Sequence, residues 1–135
     1  MRPFVPVAAA ALAERLRSEI LPELTGFRAG NVAMTAAMFD MIGEEWDRAA
    51  ARLFEENAAI RALLLRGGVR PPQDQDDDLR ISALDANNDA LRQALITLHA
   101  ALEQRDDAGA RALEDAIWDE LRRSVERRTI SSANF

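Results

Sequence analysis

Asn31-VAMTAAMFDMIGEEWDRAAARLFEENAAIRALL-Leu65 is the stretch that decides the fold. It holds no proline, and its only glycine is Gly43. Trp46, Ala50, Leu53, Asn57, Ile60 and Leu64 recur at the three- and four-residue spacing of one helix face. Glu44, Glu45, Asp47, Arg48, Arg52, Glu55 and Arg61 lie largely outside that stripe. Before Gly43 the pattern changes. Val32, Ala33, Met34, Ala36, Ala37, Met38, Phe39, Met41 and Ile42 leave almost no polar side, and a helix apolar all round is covered all round. One long helix is therefore expected, starting between Thr25 and Asn31, kinked at Gly43 and stopped by Gly67-Gly68.

Working outward, a first helix starts near Pro6 or Val7, carries the stripe Val5, Ala9, Leu12, Leu16, Ile20, and breaks at Leu21-Pro22. The N-terminal apolar stretch has a superficial likeness to a secretion signal. However, the stripe runs through the would-be cleavage point at helical spacing, so it reads as helix. Residues 66–78, with Pro71-Pro72 and the acidic run Asp74 to Asp78, read as a mobile, solvated loop long enough to cross a bundle. A third helix over Leu79 to Gln104 carries Ile81, Leu84, Asn88, Leu91, Leu95, Leu98 and Leu102. A fourth follows over Ala108 to Arg127, capped by Asp106 or Asp107, with Leu113, Ile117, Leu121 and Val125 inside. Residues 129–135 form a tail. No strand-like alternation or internal repeat competes. The fold expected is an all-α, up-down bundle of about four helices in one domain over residues 1–135, with turn-linked helices antiparallel.

Composition narrows the function. Hydrophobic residues make up 48% and charged residues 30%, which fits a globular chain and not a disordered one. Cysteine is absent, which removes disulfides, thiolate metal sites and thiol nucleophiles and fits a cytoplasmic protein. Lysine is absent too, which excludes Schiff-base chemistry and Walker-type phosphate loops. The richness in Ala, Arg, Asp and Glu points to a bacterial coding bias. A net charge of −6 speaks against nucleic-acid binding, and no apolar run reaches the roughly 20 residues of a membrane span.

The one histidine, His99, cannot make the Glu-x-x-His pairs of a bundle metal site, and Ile96 stands where the glutamate would be. It reads as a boundary residue, with Glu103 at i+4 as a partner. Glu44, Glu45, Asp47 and Glu114, Asp115, Asp119, Glu120 could serve a magnesium-dependent hydrolase only if they faced inward. Their phase and neighbouring arginines favour a solvated surface. No catalytic residue, metal or cofactor is expected, and the reading leans against an enzyme.

Two amides break the apolar stripes. Asn57 and Asn88 must find buried partners, either as a packing-register device or as ligand contacts. Asp40, within the apolar stretch, reads as part of an exposed strip, with Arg28 or an N-terminal group of another helix as a partner. Met34, Met38 and Met41 form an adaptable stripe beside Phe39. Self-association through this stripe to a homodimer is the leading expectation, with a protein partner as a further one. The alternative is a small-molecule pocket between helices 2 and 3 lined by Met38, Phe39, Trp46, Asn57 and Asn88.

The run Glu19-Ile20-Leu21-Pro22-Glu23-Leu24-Thr25-Gly26, then Ala29, Asn31-Val32-Ala33 and the helix ending Ala62-Leu63-Leu64, is similar to a family of small bacterial all-helical proteins of unknown function. Ala133-Asn134-Phe135 resembles that family's C-terminal tail, without the proline that follows its asparagine. Members are often encoded near acyl-CoA dehydrogenases and aminoglycoside-phosphotransferase-like kinases. The resemblance implies an accessory role near fatty-acid or related metabolism and assigns no catalytic residue.

Overall fold

A computed structural model of the chain describes residues 4–132. Four α-helices account for the fold, and no strand occurs among the described residues: α1 (Val5–Arg15), α2 (Gly26–Arg66), α3 (Ile81–Leu102) and α4 (Ala108–Arg128). The chain is an all-α helical bundle protein, organised as two compact units. Unit 1 comprises residues 4–49 with 130–132, and unit 2 comprises residues 50–129.

In unit 1, Pro6 sits in the first turn of α1, where its missing N–H costs nothing. The helix widens into a π turn at Leu16–Ile20 and tightens into a 3-10 turn at Leu21–Glu23, where Pro22 stops it. Gly26 (φ +59°) then turns the chain into α2. α2 runs as one helix through Gly43, which packs closely against α1. A Cβ at Gly43 would stand 3.5 Å from the Ala9 Cβ and 3.6 Å from Pro6 Cα. The buried residues of α1 are Ala9 and Ala13, not the whole stripe read from the sequence, and Leu12 and Ile20 are exposed. The small residues allow the helices to approach closely, and the larger ones are left outside that contact.

Unit 2 is a three-helix core. Ile60, Leu63 and Leu64 of α2 pack with Leu91, Leu95, Leu98 and Leu102 of α3 and Ala110, Leu113 and Ile117 of α4. α2 ends in a Schellman turn. Gly68 (φ +73°) donates its N–H to Leu65 and Val69 donates to Leu64, at 3.0 and 2.9 Å, which satisfies the last carbonyls. Residues 67–80 carry the chain back, so that Asn57 lies beside Leu84 and Asn88 while Gly67 lies beside Leu98. This portion of α2 and α3 therefore run parallel. α4 returns antiparallel to α3, its start fixed by the Asp107 carboxylate accepting the Ala110 N–H at 2.9 Å.

Candidate functional site

Two features stand out, one in each unit. Unit 2 buries a connected set of polar side chains. Glu56, Asn57 and Asn88 are 2% exposed or less. Asn88 Nδ2 donates to Asn57 Oδ1 (2.9 Å) and to Glu56 Oε1 (3.1 Å), so the two asparagines singled out in the sequence do meet. Asn57 Nδ2 donates to the Leu84 carbonyl and to Asp76, both at 3.1 Å. The Glu56 carboxylate also takes Ser124 Oγ of α4 (2.9 Å), Arg92 Nε of α3 (2.9 Å) and Arg128 Nη2 of α4 (3.1 Å). One carboxylate thus ties all three helices of the unit together. Burial pushes its pKa up, but the hydrogen bonds from Arg128, Arg92, Asn88 and Ser124 outweigh burial and hold it at about 2.

At the other end of the set, Arg61 makes a two-pronged pair with Asp76 (2.9 and 2.7 Å) and donates Nε to the Gln73 carbonyl (2.9 Å). Asn87 adds a bond to Asp76 at 2.9 Å. This corrects two expectations. Arg61 is buried rather than on the solvated side, and Asp76, read as part of a solvated run, has a fully covered side chain that ties the otherwise largely exposed loop to α2. The reason is charge pairing. A buried guanidinium needs a countercharge and acceptors for its N–H groups, and the two oxygens of Asp76 with the Gln73 carbonyl supply them. Arg61, with Asn87, holds the Asp76 carboxyl below its ordinary range.

Chemically this network is occupied. The space among Glu56, Arg92, Glu120 and Ser124 is a cavity of only about 10 Å³, the size of one water at most. Glu120, placed by its sequence among surface acids, is buried and paired with Arg127. Among the described residues no three acidic or histidine side chains gather to hold a metal ion. His99 and Trp118 meet in a T-shaped arrangement, with ring centroids 5.5 Å apart and planes at 83°, a contact the sequence reading missed.

In unit 1 the arrangement is the reverse. Met34, Met38, Ile42 and Trp46 keep 50 to 58% of their surface exposed and Phe27 keeps 84%. Met41 and Phe39 are half-buried, and Ala36 is fully buried. Asp40 pairs with Arg17 of the π turn, not with Arg28. A groove of about 390 Å³ runs between α1 and α2, lined by Phe4, Pro6 and Ala10 on one side and Phe39, Asp40, Glu44 and Asp47 on the other. Glu44 is capped by the tail. Ser131 donates N–H (3.0 Å) and Oγ (2.8 Å), Ser132 donates N–H (3.2 Å) and Oγ (3.1 Å), and these bonds lower its pKa to about 2.

The five pocket candidates are thus distributed. Met38, Phe39 and Trp46 belong to unit 1, and Asn57 and Asn88 belong to the network of unit 2. The interface candidates Met34, Met38 and Met41 share one unit. Glu56, Arg92, Ser124 and Arg128 escaped the sequence reading, although two signals were present. Glu56 adjoins Asn57, and Arg92 stands four residues after Asn88, within reach on one helix face.

No family model, curated protein or solved structure matches the chain. No helix among the described residues is long and apolar enough to cross a membrane.

Proposed function

We propose that this protein is a non-enzymatic helical module that self-associates as a homodimer through the first half of α2. The single observation that carries the reading is the uncovered face of unit 1, with Phe27, Met34, Met38, Ile42 and Trp46 all half or more exposed on one helix. A contiguous apolar surface of this kind marks an interaction site, because leaving it in water forfeits about 25 cal/mol for each Å². α1 supports the same reading. It covers α2 with alanines and leaves Val7 and Leu12 outside, so the hairpin buries no large apolar core of its own. The polar groups of unit 2 are consumed in holding its helices together, which supports a structural role for them over a catalytic one.

The working picture is a bacterial, cytoplasmic accessory protein. Support comes from the absence of cysteine, the acidic balance and the resemblance of the segment around Leu16 to Leu65 to the accessory family described above. A second reading, small-molecule binding, is favoured by the unit 1 groove. It ranks lower because Asp40 and Glu44 on its rim are already paired.

The test is mass in solution by light scattering for wild type and Met38→Glu. The expected result is a wild-type dimer and a monomeric variant of unchanged helicity. A wild-type monomer at every concentration would overturn the reading.

A further inference from the structure

Ala36, Asp40, Gly43 and Asp47 recur along one line of α2 at helical spacing. Gly43 sets that line against Pro6 and Ala9 of α1. The unit 1 groove follows it. Phe4, Pro6, Ala10 and Phe39 supply the apolar walls, and Asp40, Glu44, Asp47 and Arg48 supply the charges. At about 390 Å³ the groove has the size of a small-molecule site, and a mostly apolar wall with a few polar groups is the usual make-up of one.

The charges do not balance. Asp40 pairs with Arg17, and Glu44 pairs with Arg48 while also accepting from Ser131 and Ser132. Asp47, the third carboxylate of the groove, makes no hydrogen bond or ion pair with any described residue. Three carboxylates are thus set against two guanidiniums, Arg17 and Arg48, and one negative charge is left over at Asp47.

We propose that the groove takes a small organic monocation, an amine whose ammonium group pairs with Asp47 and whose apolar body lies along Phe4, Ala10 and Phe39. The inference rests on the small-molecule reading of the groove, names its ligand class, and is independent of self-association. An anion would add to the surplus negative charge. A neutral apolar body would strip water from Asp47 and return no hydrogen bond. An ammonium group supplies both the countercharge and the donors, and the negative faces of two phenylalanine rings favour it further.

The experiment is a titration of the isotope-labelled full chain, followed by amide chemical shifts, with benzylammonium, benzyl alcohol and benzoate as probes. Benzylammonium is expected to shift the Phe39, Gly43 and Asp47 amides and to bind about fivefold more tightly than benzyl alcohol, with benzoate weaker than both. Asp47→Asn, at an exposed position, is expected to remove that preference, while Glu55→Gln, an exposed acid of α2 outside the groove, leaves it intact. Ala10→Phe fills the groove from an exposed position of α1, clear of the buried Ala9 and Ala13, and is expected to abolish binding of every probe at unchanged helicity by circular dichroism. Equal binding of benzylammonium and benzyl alcohol, or a preference that survives Asp47→Asn, would overturn the ligand class and leave the groove standing as a site. Absence of shifts at the groove with all three probes, or binding that survives Ala10→Phe, would overturn the groove reading itself, so the two failures are separable.

Discussion

In unit 2 the inward side chains of α2, Ile60, Leu63 and Leu64, are covered by α3 and α4, with at most 6% of each exposed. In unit 1 the same helix presents Met34, Met38, Ile42 and Trp46 and leaves each at least half exposed. The difference lies in what is packed against α2. Unit 2 brings two amphipathic helices and a buried carboxylate to fix them, whereas unit 1 brings one helix that buries only the alanines Ala9 and Ala13 and sets Pro6 against Gly43. A helix apolar on one face needs one covering layer, and a helix apolar on all faces needs more than α1 supplies. The contrast is the ground on which unit 2 is taken as a finished core and unit 1 is proposed as half of an interface.

The contrast can be broken most sharply at Glu56. Replacing it with alanine strips Arg92, Arg128, Asn88 and Ser124 of their shared acceptor. We expect unit 2 to lose about 3 kcal/mol in denaturant unfolding, near the low end for a broken buried pair because both guanidiniums are partly open to solvent. Asn57→Leu is expected to cost about 1–3 kcal/mol by removing the hydrogen bonds of Asn57 to the Leu84 carbonyl and to Asp76 and the acceptor it offers to Asn88 Nδ2. Asp107→Ala removes the α4 cap and is expected to cost about 1 kcal/mol. Phe27→Ser, on the exposed face of unit 1, is expected to change the unfolding free energy of a monomer by no more than about 0.5 kcal/mol. A cost for Phe27→Ser as large as that for Glu56→Ala would erase the distinction between the units.

Acid titration sharpens the comparison. The Glu56 carboxyl sits at about 2 when folded, against an ordinary value of 4.5. A lowered folded value means that its contribution is complete above about 4.5 and is lost as pH falls from there to about 2. Glu56→Gln is expected to flatten the acid dependence of unit 2 stability over that window. Glu44 has a similarly low value in unit 1, held by Ser131 and Ser132, but it lies at the surface with about a fifth of its side chain exposed, whereas Glu56 is buried. Glu44→Gln should alter the acid curve much less, because water screens the charge in either state.

Much of this was legible in the sequence. The four helices follow from spacing, from Pro22 and from Gly67-Gly68, whose φ at Gly68 only glycine adopts freely. A cap at Asp106 or Asp107 follows from residue type, and Asn57 and Asn88 stand out as amides on apolar stripes that need partners, but that Asp107 is the cap and that the two amides meet each other came only from the structure. Arg61 and Asp76 were not legible, since each alone reads as a surface charge and only the return of residues 67–80 brings them together. Glu56 was hidden for the same reason. Its partners lie 32 to 72 residues away, and a stripe read one helix at a time cannot see them. The division into two units was masked by the continuity of α2, which carries one helical pattern through both.

The most direct test of the central claim is the mass of the wild-type chain by light scattering across a dilution series. The account predicts twice the 14.9 kDa chain mass at high concentration, falling toward 14.9 kDa as the dimer dissociates. A mass of 14.9 kDa at every concentration would contradict it, because the exposed face of α2 would then face water with no second copy to cover it.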